Sequence, residues 1–278
     1  MGFVLVGSDY HFGSRFASFP EGFRTSSDHI LPLNRGQDYL NECMEYVLKV
    51  TPPQYDLFVV NGDGIDGDNK FNMARHLSEV DPLWQVRGGE IQLQPFVDRA
   101  SRVRYTRGST YHTGKGGMGD ELLAERVKAD PLKGYYAPPW WRFWYGEEGD
   151  NGVYFDVAHR QSVTTVNHSM PLERELRYAE LRFARKRLPV PKHLVIIRSH
   201  VHWGFGVWRE RDAVVISTPC MKLQDDFAKT LTSPNRIIPD NVGMVGIRIN
   251  DEPVDGEKVT VIPYLFDHPD EEDVDVIG

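Results

Sequence analysis

Three times in this chain a short apolar run ends and carboxylate or imidazole side chains follow at once, and this repeated junction constrains the fold more than any other feature. Phe3 to Gly7 runs into Ser8-Asp9-Tyr10-His11, Asp56 to Val60 into Asn61-Gly62-Asp63, and Leu194 to Arg198 into Ser199-His200-Val201-His202. Short runs that are apolar throughout, rather than alternating, belong to strands buried on both faces. Between the first two lies Gln37 to Val50, with Leu40, Met44, Val47 and Leu48 at helical spacing. Strand, helix, strand in that order makes a parallel sheet with crossover helices. In such sheets the loops at the carboxyl ends of the strands build the site.

Val103 to Thr106, Trp140 to Tyr145, Val153 to Val157, Ala213 to Ser217, Met244 to Ile249 and Val259 to Leu265 read as further strands, the last two as a hairpin around Asp251 to Gly256. Gln92 to Ala100 and Asp120 to Ala129 read as helices. Pro171 to Leu188 is the clearest helix, with Pro171 in its first turn and Leu172, Leu176, Ala179 and Phe183 along one face. Residues 64–90 are polar and irregular and are expected to cap the site. The sum is two sheets packed together with helices outside.

At 278 residues, 40% of them hydrophobic, the chain can bury a core without disulfides or a structural metal, so a bound metal would serve chemistry. We expect one domain over residues 1–266 and an acidic carboxyl-terminal tail over 267–278. Cys43 and Cys220 form no C-x-x-C pair and suit core packing in a reducing compartment. The amino-terminal apolar run is too short for a signal peptide, and no stretch reaches the ~18 apolar residues that span a bilayer. The expectation is a cytoplasmic protein with no membrane partner. The net charge of −8 disfavours non-specific polyanion binding.

Asp9 and His11, two apart in extended chain, can turn to one side, and a carboxylate with an imidazole suits Zn, Mn or Fe. Alone, such a pair is at least as often a cap and a surface histidine. Asp63 sits just past a strand in a glycine-rich loop and Asp66 follows three residues on. The same loop also reads as an ordinary Asp-Gly turn, and it misses the spacing of a calcium loop. His200-Val201-His202 is the most specific of the three, because paired buried imidazoles without a metal need other partners.

In order along the chain, Asp9-Tyr10-His11, Gly62-Asp63-Gly64-Ile65-Asp66 and His200-Val201-His202 resemble the calcineurin-like metallophosphoesterase superfamily. Its pattern is D-x-H, G-D-x-x-D, G-N-H-[DE], a lone His, then G-H-x-H. The resemblance spans residues 9–202. The lone histidine has two candidates: His159, after Tyr154 to Val157, which is preferred, and His168, after Ser162 to Val166. The third motif departs, because Arg107-Gly108-Ser109-Thr110-Tyr111-His112 stands where G-N-H is expected. Either His112 binds the second metal itself, or Ser109 or Thr110 fills the Asn position and His112 acts as the acid beside the leaving group.

The resemblance implies a four-layer α/β/β/α sandwich of two packed mixed sheets with outer helices. It implies two divalent cations, manganese first, with zinc, iron or nickel as the others. Asp9, His11 and His202 would serve one cation, and His159 and His200 the other, with His112 as a further ligand or catalytic acid. Asp63 would bridge, and Asp66 would orient a ligand from behind. The implied reaction is hydrolysis of a phosphate ester by a water between the cations, and the basic stretch Arg182 to Lys192 with the aromatic cluster Trp140 to Tyr145 puts a phosphodiester first (phosphodiesterase or nuclease). The alternatives are a phosphomonoesterase and a non-catalytic scaffold that keeps the fold. A metallo-β-lactamase-like hydrolase is disfavoured, because its H-x-H comes early in the chain and is followed by Asp-His.

A nucleic-acid partner is suggested by the basic stretch Arg182 to Lys192 and the aromatic cluster Trp140 to Tyr145. Each has a plainer reading, in the helix dipole and in core packing. Arg107 and Arg160 abut candidate ligands and suit either phosphate or ordinary salt bridges.

Overall fold

The structure, a computed structural model, describes residues 1–68, 74–161, 169–202, 204–224, 241–254, 256–267 and 269. His168 lies outside the described residues, as does all of the acidic tail beyond Asp267 except residue 269.

The first sheet holds β1 (Gly2–Gly7), β2 (Leu57–Asn61), β3 (Val103–Thr106), β9 (Asn241–Val254) and β10 (Glu257–Asp267) in the order β10-β9-β1-β2-β3. β1, β2 and β3 are parallel, and β9 and β10 join antiparallel. The second sheet holds β4 (Trp141–Tyr145), β5 (Val153–Arg160), β6 (Leu194–Ser199), β7 (Gly206–Glu210) and β8 (Ala213–Ser217) in the order β4-β5-β6-β8-β7. Here β5, β6 and β8 are parallel and the two edge strands antiparallel. The helices are α1 (Arg35–Val50), α2 (Pro82–Val97), the single turn α3 (Thr110–Thr113), α4 (Met118–Arg126) and α5 (Ser169–Arg185).

The period of two along each strand sorts side chains into layers. Val4 and Val6 of β1 and Leu57 and Val59 of β2 face Val195 and Ile197 of β6 and Val214 and Ile216 of β8 in the core between the sheets. Their neighbours Phe3, Leu5, Phe58 and Val60 point the other way, onto α1, α2 and α4. Leu194, Ile196 and Val215 face outward onto Leu172, Leu176 and Ala179 of α5. The result is the expected four-layer sandwich. Both faces of the central strands are covered, which is why their sequences read as unbroken apolar runs.

Local signals set the helix ends. Asn34 caps α1 by accepting from the N–H of Gln37, whose side chain accepts in return from the N–H of Asn34. Asp81 caps α2 from its side chain, with Pro82 at the first position. This corrects the expected helix Gln92 to Ala100: it begins at Pro82, inside the segment expected to be irregular. Gly88 and Gly89 weaken its helical pattern, yet a Cβ at either would run into the rings of Phe19 or Phe12, so the helix needs glycine to seat. β7 was not expected, because Gly206-Val207-Trp208-Arg209-Glu210 is a half-buried edge strand with little apolar content. The hairpin is confirmed with longer arms, Val254 pairing with Glu257. Residues Asp251 to Val254, expected in its turn, belong to β9.

Asp156 of β5 is buried among three arginines: Arg182 of α5 (2.5 Å), Arg142 (3.2 Å) and Arg198 (3.2 Å). Burial raises its pKa, but Arg198, Arg182 and Arg142 outweigh this and hold it below the usual range. Arg198 also donates to Glu175 of α5 at 2.8 Å, so the network ties α5 to the second sheet. Trp141 is buried and donates to the Tyr105 carbonyl at 2.8 Å, and Phe143 stacks on Phe155. Arg182 and much of the aromatic cluster therefore have structural partners. Cys43 and Cys220 are buried free thiols. Among the described residues, no helix is long and apolar enough to cross a membrane.

Candidate metal centre

Both triplets of parallel strands end at the same side of the sandwich, and the expected donors lie just past those ends. The first sheet delivers Asp9 and His11 after β1, Asp63 and Asp66 after β2, and Ser109 and His112 after β3. The second delivers His159 near the end of β5, and His200 and His202 after β6. The β5–β6 register shifts between Val157 and Arg160, an irregularity that re-aims His159.

The two sheets are fastened at this end by a chain of polar side chains. Thr106 donates to Asn61 Oδ1 (2.6 Å), and Asn61 Nδ2 donates to Ser199 Oγ (2.6 Å) and to the Ala158 carbonyl (3.1 Å). Ser199 pairs in turn with Thr218 at 2.7 Å. Every member of this chain is paired inside the protein, where an unpaired polar group would be costly.

The donors form two groups, Asp9–His11–His202 and Asp63–His159–His200, each with ligand atoms within 4.8 Å of one another. His202 Nε2 lies 3.0 Å from Asp9 Oδ1 and 3.2 Å from His11 Nε2. His159 Nε2 lies 3.0 Å from Asp63 Oδ2 and 3.2 Å from His200 Nδ1. Asp9 Oδ1 is also 3.8 Å from His159 Nε2, so Asp9 sits between the groups.

Outer partners fix the ring nitrogens. His11 Nδ1 is 3.0 Å from Asp66 Oδ1, and His159 Nδ1 is 2.6 Å from the Asn61 carbonyl. Each acceptor takes the Nδ1 proton and turns Nε2 inward as a donor of electrons.

Burial alone would raise the carboxyl pKa values. The imidazoles outweigh it and hold all three well below the usual range: His159 and His202 beside Asp9, His159 and His200 beside Asp63, and His11 and His112 beside Asp66. Burial, with His112 and Lys222 near, pulls His11 down to about 3. Burial also pulls on His159, but Asp63 and Asp9 overcome it and lift the ring to about 10. The site thus demands positive charge between Asp9 and Asp63, and takes it from a proton when nothing else supplies it.

These residues fit a pair of divalent cations. Ligand atoms ~2.1 Å from a cation in adjacent octahedral positions lie about 3 Å from each other. The spacings of 3.0–3.2 Å within each donor group match this. Nitrogen with carboxylate oxygen is the donor set of Mn, Fe or Zn.

Backbone conformation is a further mark of the site. Among the described residues, eleven that are not glycine have positive φ, and five of these are Asp9, His11, Asp63, His200 and His202. Left-handed backbone costs ~1–2 kcal/mol per residue, and concentrations of it accompany sites that must aim side chains.

A third group, His11–Asp66–His112, shares His11 with the first. His112 Nδ1 lies 3.2 Å from Asp66 Oδ1 and 3.1 Å from its carbonyl, and Lys222 Nζ lies 3.9 Å from Asp66 Oδ1. With a lysine beside it and its oxygen engaged by two imidazoles, Asp66 acts as a support for His11 and His112. Lys222 carried no signal in the sequence and arrives from the segment after β8.

In the departing third motif, the Ser109 backbone N–H donates to Asp63 Oδ1 at 2.6 Å, and its hydroxyl reaches Oδ2 at 3.0 Å. Gly108 permits this approach, because a Cβ there would overlap Asp63. Arg107 Nη2 is 3.9 Å from Glu121, an ordinary ion pair.

The base of the site is closed, with His11, Asp9, Asp63 and His159 at 0–3% side-chain exposure, while His202 and His200 are 28% and 34% exposed. Among the described residues, the site is open on the side of the H-x-H pair.

Two mixed sheets back to back, with donors gathered in this order at their shared end, decide the fold. It is the four-layer α/β/β/α sandwich that the resemblance implies. No protein-family model matches the sequence, and neither does any curated protein. Among solved structures, the chain is similar to a dimetal phosphatase from Danio rerio (10% identity, 95% of this chain and 99% of that one, TM-score 0.44). It is also similar to a purple acid phosphatase from yellow lupin (10% identity, 88% and 49%, TM-score 0.42). A third is a Vps29 double mutant from Entamoeba histolytica (13% identity, 95% and 99%, TM-score 0.41).

Proposed function

We propose that the protein is a metal-dependent phosphoesterase, acting on a phosphodiester first. The observation that carries this is the meeting of two donor groups, Asp9–His11–His202 and Asp63–His159–His200, from two sheets at one partly open site. Asp9, His11 and His202 would hold one cation, and Asp63, His159 and His200 the other. When bound, such a pair clamps a phosphate, offsets its developing charge and lowers the pKa of a water between them.

The chain supplies the rest. Asp66 and the Asn61 carbonyl accept from the Nδ1 atoms of His11 and His159, which aims the two Nε2 atoms inward. Burial of the base excludes competing water. His112 has Nδ1 engaged by Asp66, which leaves Nε2 for substrate. Burial lowers its pKa, but Asp66 and Asp63 outweigh this and raise it above the ordinary value, as suits a proton donor. As a water oxygen bonds to phosphorus and the opposite P–O bond breaks, His112 Nε2 gives its proton to the departing oxygen. His112 thus serves as the acid, and Ser109 takes the place of the missing Asn at Asp63.

The diester preference carries over from the sequence alone, since the exposed basic run Arg185-Lys186-Arg187 ends α5 on the side where β6 begins, away from the site. Hydrolysis of bis-p-nitrophenyl phosphate and of p-nitrophenyl phosphate with added Mn²⁺ tests both levels. Diester turnover lost in Asp63→Asn supports the proposal. Monoester turnover alone moves the substrate to phosphomonoesters, and equal turnover by Asp63→Asn in chelator refutes the mechanism. A scaffold that keeps the fold is the second reading, favoured by the one replaced motif. Retention of the other donors in contact geometry weighs against it.

A further inference from the structure

Asp120 belongs to neither donor group, yet it is fully buried in the first turn of α4, between the loops that carry the second and third motifs. Its Oδ1 accepts from the Gly64 N–H (2.9 Å) and the Tyr105 hydroxyl (2.9 Å), and its Oδ2 accepts from the Gly108 N–H (2.7 Å). Gly64 follows Asp63, and Gly108 precedes Ser109. One carboxylate therefore spans the two loops whose meeting makes the Ser109–Asp63 contact.

The neighbouring Glu121 accepts from the N–H groups of Tyr136 (2.7 Å) and Ala137 (2.9 Å), and the Pro138 carbonyl accepts from the Arg107 N–H (2.9 Å). The Ser109 loop is thus gripped from both sides by the first turn of one helix.

All three partners of Asp120 are neutral, and a buried carboxylate is costly without a cation beside it. Burial and the charge of Asp63 push Asp120 up to about 6, opposite to the other three carboxyls of the region. An asparagine would remove that cost, but its single oxygen can serve only one arm, and its amide would set N–H against N–H on the other. The geometry calls for an acceptor on both arms, which only a carboxylate provides.

We infer that Asp120 is a positioning residue that fixes the spacing of the Asp63 and Ser109 loops, and through it the affinity of the Asp63–His159–His200 group for its cation. This rests on the metal-dependent reading above. The loop after β1 also leans on the Asp63 loop, His11 donating its N–H to the Asp63 carbonyl at 3.0 Å, but Asp120 itself grips only the Gly64 and Gly108 N–H groups that set Asp63 against Ser109, so the effect falls most on the cation of the Asp63–His159–His200 group.

The test is calorimetric titration of metal-free wild type and Asp120→Asn with Mn²⁺, with thermal unfolding of both metal-free proteins. The expected result is one cation bound as in wild type and the other about 10–100-fold more weakly, as for loss of a group supporting a ligand. Excess Mn²⁺ then restores binding, and the metal-free melting temperatures stay close. Should Asp120→Asn fail to fold, Asp120→Glu carries the test: it keeps the charge, moves it by one methylene, and is expected to show the same selective loss. Two unchanged affinities, or two that fall together with the melting temperature, overturn the inference and leave the metal reading standing. A wild type that binds no Mn²⁺ overturns both.

Discussion

Ser109 holds Asp63 through two donors, its backbone N–H at 2.6 Å from Oδ1 and its hydroxyl at 3.0 Å from Oδ2. His112, three residues on, faces Asp66 instead. The two residues of the altered motif thus divide their work, and their variants are expected to behave differently. Ser109→Ala lowers affinity for one cation by about tenfold, which added Mn²⁺ restores, since the change touches a group that supports a ligand. His112→Ala keeps both cations and lowers turnover by about 10²–10⁴, the range for loss of a general acid. That loss should be larger for alkyl than for p-nitrophenyl esters, whose leaving group needs no proton. Calorimetry and steady-state rates on both ester classes check the pair, and a His112→Ala enzyme that loses a cation would return His112 to the ligands.

Asp66 supports His11 at 3.0 Å and faces His112 at 3.2 Å. Asp66→Asn is expected to weaken cation binding by about 10–100-fold. The amide lacks the negative charge that both His11 and His112 face at Oδ1, so the loss falls on metal affinity and on turnover together. A metal titration with rates at saturating Mn²⁺ separates the two. Unchanged values for both would remove Asp66 from the account.

The metal-free site carries a proton on His159, whose pKa burial lowers but Asp63 and Asp9 lift to about 10. A cation must displace that proton. Below this pKa, affinity should rise with pH by up to about tenfold per unit, and acid should strip the metal. At neutral pH, calorimetry in two buffers of different ionisation enthalpy is expected to report about one proton released as the site fills. Affinity independent of pH, with no proton released, would place a different group at the centre.

Much of this site was legible because β-strands deliver their ligands in sequence order. Asp9, His11, Asp63, His200 and His202 each follow an apolar run that could only be a buried strand, and the structure brings them together. The supports were not legible. Asn61 was visible only as the residue before Gly-Asp, and its bridge between the sheets depends on partners 45 and 138 residues away in the chain. Lys222 and Asp120 sit in segments with no metal-ligand pattern, because a second layer of hydrogen bonds leaves no spacing rule in one dimension. The left-handed backbone at five donors was equally hidden, since Asp and His adopt it only when tertiary contacts require it. Within the fold, α2 was cut short at its glycines, whose helical cost is local while the close packing that requires them is not.

The central claim is that Asp9, His11, Asp63, His159, His200 and His202 hold two divalent cations. Elemental analysis of protein purified without chelator, beside Asp63→Asn prepared in the same way, addresses it most directly. About two equivalents of transition metal in the wild type, and fewer in a variant that remains folded, is the predicted result. Wild-type protein that stays metal-free even after exposure to Mn²⁺ and Zn²⁺ would contradict it.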